Sequence, residues 1–256
     1  MTTPFDRSDD LSALLAGAHA ARTQIDDLPA GLVPVDAEAA RRVQHDVLAR
    51  RGQRVRGWKV GAKSPTGPVQ GSPLPADTVW PSPASVRFDD FPVLALELEI
   101  AFLFGRSFPS RGQPYGDDEV MDGVKSMLAT IEIVSSRYAR WPDVDPLAQL
   151  ADLQSHGALV FGQAVAYAPD FAFETPRLDF RIDDAEVVRD GAPANPAGDP
   201  RRLLPWLVNH AAERGWPVGE DTIVTTGSYT GLHLVRSAGT VVGRIEGLPP
   251  ITLTIS

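Results

Sequence analysis

Two glutamates, Glu97 and Glu99, stand two residues apart in the most apolar segment of the chain, whose sequence is VLALELEIAFLF. Alternate side chains of a β-strand share a face, so both carboxylates would point the same way, about 7 Å apart at the usual rise of a strand. Carboxylates buried so close together repel one another, and each loses its hydration unless another charge compensates. A divalent cation is the simplest compensating charge.

A third carboxylate, Glu132, repeats this pattern in the segment TIEIV, where Ile131 and Ile133 take the opposite face of a strand. The chain has no cysteine, which excludes thiolate ligands, and three carboxylates make an all-oxygen site that suits Mg²⁺ or Mn²⁺. The same pattern also fits an edge strand with solvated glutamates, or glutamates in salt bridges with arginine. From the residues alone, the metal site and these two alternatives stay open.

Lys59 is a candidate of another kind, since it carries a cation in the middle of a predicted strand. It lies in the segment VRGWKVGA at 55–62, with Trp58 and Val60 on the other face of the strand. Glycines flank these three residues, as expected where a ligand approaches the backbone closely. Beside three glutamates and a metal, the ammonium group would stay charged and could bind a substrate carboxylate. The alternative is an ordinary strand lysine that faces solvent.

Composition limits the class of protein. A chain of 256 residues can bury a large core, and its 22 glycines and 23 prolines are spread along the sequence, as in a strand-rich protein with many turns. The net charge of −9 argues against nucleic acid or an anionic membrane as a partner. We see no secretory signal and no apolar stretch that could span a bilayer, so we expect a cytoplasmic protein.

A helical start and a strand-rich remainder would have to position these groups. We predict that residues 1–52 form a helical N-terminal part, and that residues 53–256 form a β-rich catalytic domain in one compact unit with it. The second helix would begin at Asp36 and end before Gly52. The other predicted elements are strands at 93–104, 129–134 and 157–162, a short helix at 117–128, a hairpin at 178–189 with its turn at Asp183–Asp184, a helix from Asp199 to Gly215, an irregular segment at 64–92, and short strands from 222 to 256.

Five short motifs resemble, in the same order, the motifs of one enzyme family. They are GWKVGAKS (57–64), LELEIAFLFG (96–105), IEIVSSRYARW (131–141), ADLQSHGALVFG (151–162) and VTTGSYTG (224–231). Together they resemble the 2-keto-4-pentenoate hydratases and the related 4-oxalocrotonate decarboxylases, within the fumarylacetoacetate hydrolase superfamily. The resemblance implies an α+β class, with a fumarylacetoacetate-hydrolase-like β-rich fold whose mixed sheets roll around a central metal site.

The resemblance also implies a set of site residues. The family's ligands for Mg²⁺, or for Mn²⁺, fall on Glu97, Glu99 and Glu132. Its catalytic residues fall on Lys59, Asp77 and Ser155. We further predict that His156, beside Ser155, and Ser228, in the last motif, contact the substrate.

The chain departs from the family pattern beside these positions. Where the family usually has Ala-Asp-Asn-Ala-Ser-Ser-Gly, this chain has ADLQSHG at 151–157, so that Leu153, Gln154 and His156 replace Asn, Ala and the second Ser. Lys63 also stands where the family often has Thr. The catalytic groups are kept, so these departures bear on the substrate rather than on the type of reaction.

The resemblance implies a Mg²⁺-dependent hydratase, a lyase that adds water to a short 2-hydroxy-2,4-dienoate or its 2-keto-4-enoate tautomer. The product would be a 4-hydroxy-2-keto acid, as in the degradation of aromatic compounds by meta-cleavage. One alternative is the decarboxylation of a 4-oxalocrotonate-like 2-keto dioate in the same site. Another is a catalytically altered family member that acts as the partner of a related decarboxylase or hydratase. Family relatives are often homo-oligomers, and we expect the same here.

Two other chemistries are disfavoured. Hydrolases of the superfamily pair a histidine with a glutamate to activate water, and this chain has no histidine between residues 46 and 155. A nucleophilic triad would need an elbow such as G-x-S-x-G, which the sequence lacks.

Overall fold

Two mixed β-sheets and several short α-helices form the fold in the computed structural model, which describes residues 7–187, 193–216 and 218–256. Within these ranges no helix is both long enough and apolar enough to cross a membrane. The helices are α1 (Ser8–Ala21), α2 (Ala37–Arg50), α3 (Asp117–Met121), α4 (Pro146–Ala151) and α5 (Leu203–Ala212).

The strands divide unequally between the two sheets. The larger sheet contains β1 (Val55–Gly61), β2 (Gln70–Pro75), β3 (Val79–Pro81), β5 (Ala95–Phe104), β6 (Val124–Val134), β7 (His156–Phe161), β8 (Val165–Ala166), β11 (Ile223–Ser228) and β12 (His233–Leu234). The smaller sheet contains β4 (Ala84–Val86), β9 (Leu178–Ile182), β10 (Ala185–Glu186), β13 (Gly239–Ile245) and β14 (Ile251–Ile255).

The larger sheet is rolled rather than flat. Its strands follow the order β2-β1-β11-β5-β6-β7-β3, so its two end strands are the ones that residues 76–78 connect directly. Lys59 on β1 and Glu132 on β6 are three strand spacings apart, roughly 14 Å in a flat sheet. Their side chains nevertheless meet, with Nζ 2.5 Å from Oε1. Only a strongly curved sheet brings these strands together across its concave face.

The central pair of the larger sheet, β5 and β6, is buried on both faces. The apolar face that the alternation predicts for β5 lies in the main hydrophobic core; its residues are Leu94, Leu96, Leu98, Ile100 and Phe102, all at most 3% exposed. Ile131 and Ile133 of β6 lie in the same core. The opposite face of this pair therefore holds the glutamates.

The N-terminal helices form a second core with a later part of the chain. Leu11 and Leu15 of α1, Val43 and Val47 of α2, and Leu150 of α4 belong to one buried cluster. Asp36 begins α2 as expected, since its side chain accepts a hydrogen bond from the backbone N–H of Ala39 at 2.7 Å. The division of the chain at residue 52 stays a prediction.

Two predicted elements differ in the structure. The helix expected at 117–128 is wrong beyond Met121, because residues 124–134 pair with β5 along their whole length and this pairing overrides the local helical pattern. The segment expected to be irregular at 64–92 contains β2, β3 and β4. β2 tolerates Pro73 and Pro75 because it lies at the edge of the sheet, where β1 is its one neighbouring strand among the described residues.

Two further expectations are met in part. The hairpin of β9 and β10 turns at Asp183–Asp184 as predicted, while residues 188 and 189 of the expected range lie outside the described residues. The predicted helix after Asp199 begins as a 3-10 turn, Pro200–Arg202, and continues as α5 to Ala212.

A strained turn precedes β7. Residues 153–155 have φ angles of 49°, 52° and 58°, although none of them is glycine. Arg137 holds both ends of this turn, since it donates to the backbone oxygens of Asp152 at 3.0 Å and His156 at 2.8 Å. The same guanidinium pairs with the buried Asp152 carboxylate, with Nε 2.5 Å from Oδ1. This ion pair fixes the backbone next to the glutamates.

We expect Arg137→Met to lower the free energy of unfolding by about 3–5 kcal/mol, because it leaves a buried carboxylate without its cation. Arg177→Met is the matched control, since Arg177 contacts Glu246 at 3.8 Å with side chains that are 89% and 69% exposed. It should change the free energy by no more than about 0.5 kcal/mol. Urea denaturation followed by circular dichroism measures both. Equal effects of the two substitutions would contradict the anchoring role of Arg137.

Candidate metal centre and active-site cavity

Three carboxylates converge on one face of the larger sheet. β5 and β6 run antiparallel with Glu97 directly opposite Glu132, and Glu99 follows two residues along β5. One oxygen from each carboxylate lies within 4.8 Å of the other two. Glu99 and Glu132 are 2% and 1% exposed, whereas Glu97 is partly exposed. The strand alternation and the register together bring these three side chains to one point.

Burial changes how these carboxyl groups ionise. Desolvation, followed by the charge of Glu132, raises the pKa of Glu97 to about 7. The same two causes, with Glu97 as a further neighbour, raise the pKa of Glu99 to about 8. Desolvation alone would raise the pKa of Glu132 too, but the charge of Lys59 and the contact with His156 outweigh it and the pKa is lowered. Of the three carboxyl groups, Glu132 therefore stays ionised down to the lowest pH.

Lys59 supplies the positive charge next to the cluster. Its Nζ lies 2.5 Å from Glu132 Oε1 and also donates a hydrogen bond to the backbone oxygen of Gln154 at 3.2 Å. Desolvation lowers the pKa of Lys59, but the charges of Glu132 and Glu97 outweigh it and raise that pKa above its ordinary value. The ammonium group therefore stays charged at neutral pH.

Glu99 is held by donors from β11. The hydroxyl of Thr225 and the backbone N–H of Gly227 both donate to its Oε2, the latter at 3.0 Å. Gly227 has a φ of 94°, a conformation that favours glycine, at a register shift between β11 and β5. Hydrogen bonds of this kind stabilise the ionised carboxylate and oppose the effect of burial.

The cluster fits a hard divalent cation. All of its donor atoms are carboxylate oxygens, which suit Mg²⁺ and Mn²⁺. Glu132 Oε2 is buried and finds no hydrogen-bond partner among the described residues, which is costly unless a ligand supplies one. Oxygens that bind one cation at about 2.0–2.6 Å must lie within about 5 Å of each other, and the separation of 4.8 Å meets this limit.

The glutamates lie in the wall of a cavity of about 750 Å³. Besides them, the cavity is lined by both amine and amide side chains, so a bound molecule would meet several donors. The polar residues in the wall other than the glutamates include Lys59, Lys63, Gln70, Gln149, Gln154, Ser228 and Thr230. A volume of this size is typical of a small-molecule site.

The structure brings most of the predicted site residues to this cavity. Lys59 and Ser228 line it together with the three glutamates. Ser228 lies opposite Glu99 in the ladder between β11 and β5. Asp77, Ser155 and His156 do not line it.

Asp77 is not brought to the glutamates. It lies in the 3-10 turn between β2 and β3, and its carboxylate accepts a hydrogen bond from Arg51 Nη2 at 2.8 Å. This ion pair turns the side chain, which is 42% exposed, toward a different cavity of about 560 Å³. Asp77 therefore does not lie where its side chain could take a direct part in a reaction at the glutamates.

Ser155 and His156 lie behind the cavity wall. Ser155 is fully buried, and its hydroxyl accepts a hydrogen bond from Gln149 at 3.4 Å. His156 lies with Nδ1 3.3 Å from Glu132 Oε1 and Nε2 3.0 Å from the hydroxyl of Thr78. The histidine therefore contacts a glutamate instead of facing the cavity. Gln154, which belongs to the strained turn at 153–155, lines the cavity.

Several contributors to the site were missed from the sequence. Gln70 and Gln149 line the cavity, and no local motif marks either of them. Thr225 could have been found, because it lies two residues before Gly227 in the strand VTTGS and alternation places it on the glutamate side. Thr130 likewise precedes Glu132 by two residues, and its hydroxyl lies 2.9 Å from that of Thr225.

We expect the metal-free protein to lose stability as the pH rises. The pKa values of Glu97 and Glu99 lie above those of an unfolded chain, so the stabilisation is complete below about pH 4.5 and is lost as the pH rises through about 7–8. Thermal unfolding at increasing pH measures the effect.

Two controls accompany this measurement. Glu97→Gln should flatten the pH dependence, because it removes one of the titrating groups. Added Mg²⁺ should also flatten it, because a cation favours the ionised carboxylates. A melting temperature of the metal-free protein that is constant or rises over this pH range would contradict the description of the cluster.

Comparison with known proteins places the chain near two groups of enzymes. No family model matches it. The 2-keto-4-pentenoate hydratase of Paraburkholderia phymatum is 27% identical over 262 residues, which cover 98% of this chain and 98% of that protein. The hydratase of the same name from Burkholderia vietnamiensis is 26% identical over 86% of this chain and 85% of its own length. The 4-oxalocrotonate decarboxylase of Pseudomonas putida is 28% identical over 61% of this chain and 58% of its own.

Solved structures establish the fold. The 4-oxalocrotonate decarboxylase from Pseudomonas putida G7, complexed with magnesium and adipate, superposes with a TM-score of 0.84 over 98% of this chain and 97% of that one, at 19% identity. Fumarylpyruvate hydrolase from Pseudomonas aeruginosa, in complex with Mn²⁺ and pyruvate, gives a TM-score of 0.55 over 79% of this chain and 89% of that one, at 14% identity. The chain is similar in sequence to 2-keto-4-pentenoate hydratases and 4-oxalocrotonate decarboxylases, and it has the fumarylacetoacetate-hydrolase-like fold that the resemblance of its motifs implies.

Proposed function

We propose that this chain is a divalent-metal-dependent lyase, a hydratase that adds water to a short 2-hydroxy-2,4-dienoate or its 2-keto-4-enoate tautomer. The observation that carries the proposal is the convergence of three carboxylates and Lys59 in the wall of one cavity. The similarity to hydratases over almost the whole chain supports the same reaction.

A second candidate reaction is the decarboxylation of a 2-keto dioate in the same cavity. The sequence similarity to a 4-oxalocrotonate decarboxylase and the structural likeness to the decarboxylase from Pseudomonas putida G7 favour it about as strongly. The two reactions share a dienolate, which hydration consumes and decarboxylation produces. One site could therefore serve either of them.

Glu97, Glu99 and Glu132 would hold the cation, which we propose to be Mg²⁺ or Mn²⁺. Proteins of this fold have been solved with magnesium, calcium and Mn²⁺, which supports a divalent ion. Such an ion, when bound, supplies Lewis acidity toward the carboxylate and the neighbouring oxygen of a 2-keto acid.

Lys59 is suited to stabilise negative charge on the substrate. Its pKa is raised by Glu132 and Glu97, so it keeps its proton and acts as a fixed cation and donor. Its hydrogen bonds to Glu132 and to the carbonyl of Gln154 hold Nζ in place before a substrate enters. A donor held in advance at the position where charge develops is the efficient arrangement for an enolate-forming reaction.

Neutral polar side chains would orient the substrate and the attacking water. Gln149, Gln154 and Ser228 line the cavity and offer both donors and acceptors. Asp77 and Ser155 take no part in the proposed proton transfers, because neither side chain lines this cavity. A water molecule held by these amide and hydroxyl groups would instead carry the protons to and from the substrate.

Four further properties remain predictions from the family resemblance. These are the degradation of aromatic compounds, a cytoplasmic location, homo-oligomeric assembly and complexes with a related decarboxylase or hydratase.

One assay separates the candidate reactions. The purified protein with Mg²⁺ is offered 2-hydroxypenta-2,4-dienoate and, separately, 4-oxalocrotonate, while ultraviolet absorbance and CO₂ are followed. Decay of the dienoate to a hydroxyketone supports hydration, and release of CO₂ from the dioate supports decarboxylation. Turnover of neither compound would contradict both enzymatic proposals and leave the partner role.

We expect Lys59→Met to lower kcat/KM on the accepted substrate by about 100- to 1000-fold, the usual cost of removing one donor from a developing negative charge. Lys125→Met is the matched control, because Lys125 is an exposed lysine that contacts Asp221 at 3.6 Å outside the cavity. Steady-state kinetics with Mg²⁺ measures both variants. A loss of less than ten-fold for Lys59→Met would exclude the charge-stabilising role.

A further inference from the structure

The cavity that Asp77 lines is separate from the glutamate cavity, since the two share no lining residue among the described parts of the chain. We call it the arginine cavity, because Arg22, Arg51 and Arg137 all stand in its wall. It encloses about 560 Å³, which is enough for a small organic molecule. The chain as a whole has a net charge of −9, so a wall with three guanidinium groups marks a local site that would attract an anion.

Three polar side chains in the wall of the arginine cavity lack a hydrogen-bond partner. The atoms concerned are His19 Nε2, Arg51 Nη1 and Ser135 Oγ, which are shielded from solvent and unpaired among the described residues. The side chain of His19 is 9% exposed, and Ser135 is 1% exposed. Asp152 Oδ1 lies 3.8 Å from His19 Nε2, which is beyond hydrogen-bond distance. Buried polar groups are costly when unpaired, and a ligand with acceptor oxygens would satisfy them.

The charges in this wall favour an anion. Arg51 uses Nη2 to bind Asp77 at 2.8 Å, which leaves Nη1 available. Desolvation lowers the pKa of His19 well below its ordinary value, and the charges of Arg137 and Arg51 lower it further. His19 is therefore neutral at neutral pH and lies in the positive field of two guanidinium groups. With its proton on Nε2, the neutral imidazole donates a hydrogen bond to an anion.

Apolar side chains form another part of the wall. Trp80 and Phe91 both line the arginine cavity, and both are only partly buried. The indole N–H of Trp80 is already used, because it donates to the backbone oxygen of Asp77 at 2.9 Å. A molecule in the cavity would therefore meet aromatic surface as well as the unpaired donors.

We propose that the arginine cavity is a second binding site, whose ligand is a monocarboxylate with an apolar body. The carboxylate accepts hydrogen bonds from Arg51 Nη1, Ser135 and His19, and the apolar body lies against Trp80 and Phe91. A carboxylate suits these donors, because its two oxygens accept several N–H and O–H groups at once. The site does not depend on the proposed function of the glutamate cavity.

The other charges in the wall limit the ligand to a single negative charge. Asp77 and Asp90 also line the arginine cavity, where they pair with Arg51 and Arg22. These carboxylates would repel the second charge of a phosphate or of a dicarboxylate. The site would therefore prefer a monocarboxylate to either of these anions.

Titration calorimetry tests the chemical class of the ligand. The full chain is first freed of metal, because a loaded metal centre would itself bind carboxylates. 4-Bromobenzoate is then compared with 4-bromobenzyl alcohol, which has the same ring and no charge. We expect the acid to bind about ten-fold more tightly, the worth of one charge-assisted hydrogen bond. Equal affinities of the two compounds would overturn the proposal.

Substitutions test the assigned contacts. Arg51→Gln should abolish the preference for the acid, whereas Lys59→Met in the glutamate cavity and Arg177→Gln outside both cavities should leave it unchanged. Ser135→Ala removes a hydroxyl that has no partner among the described residues, so the variant should fold normally and bind the acid about three- to ten-fold more weakly. An undiminished preference in Arg51→Gln, or in Ser135→Ala should Arg51→Gln not fold, would overturn the proposal.

A crystal of the protein soaked with 4-bromobenzoate locates the ligand, because bromine scatters anomalously. We expect a bromine peak in the arginine cavity, beside Trp80. A peak in the glutamate cavity alone, or none in a crystal saturated with the compound, would overturn the second site. Neither result bears on the proposed lyase, which turnover of the dienoate and the dioate tests. Failure of that turnover would in turn leave the second site standing.

Discussion

The clustering of three carboxyl groups, two of them buried and one partly exposed, on two adjacent strands is the constraint on which the rest of the structure depends. Glu97 and Glu132 face each other across β5 and β6, and Glu99 lies one step further on the same face. Such a cluster is unstable in a hydrophobic core unless positive charge and donors surround it. The chain supplies Lys59, Thr225 and the N–H of Gly227, and it leaves Glu132 Oε2 without a partner among the described residues. A divalent cation would complete the compensation.

The rolled sheet is what makes this compensation possible. In a flat sheet β1 would lie too far from β6 for Lys59 to reach Glu132, and the curvature places them face to face. The strained turn at 153–155 then brings a backbone carbonyl to the same ammonium. Arg137 and Asp152 hold that turn from behind, so a buried ion pair outside the cavity determines the position of a donor inside it. The curvature of the sheet and the turn at 153–155 therefore both bring a partner to the ammonium group of Lys59.

The parts of the site that were predictable depend on local periodicity. Period-two alternation was enough to place Glu97 and Glu99 on one face and Glu132 on a like face of another strand, because burial selects the register. The fold itself was accessible only through the family motifs, since no composition or periodicity specifies the order of strands in a sheet. The position of Asp77 outside the glutamate cavity could not be predicted, because its direction depends on an ion pair with Arg51, 26 residues away in the chain. The burial of Ser155 could not be predicted either, because it depends on the turn that Arg137 holds.

The most direct test of this account is the position of a bound metal. A crystal of the protein grown with Mn²⁺ and measured at a wavelength where manganese scatters anomalously would locate the ion. The account predicts one strong peak within about 2.0–2.3 Å of an oxygen from each of Glu97, Glu99 and Glu132. A peak elsewhere, or none at these carboxylates in a crystal saturated with Mn²⁺, would contradict it.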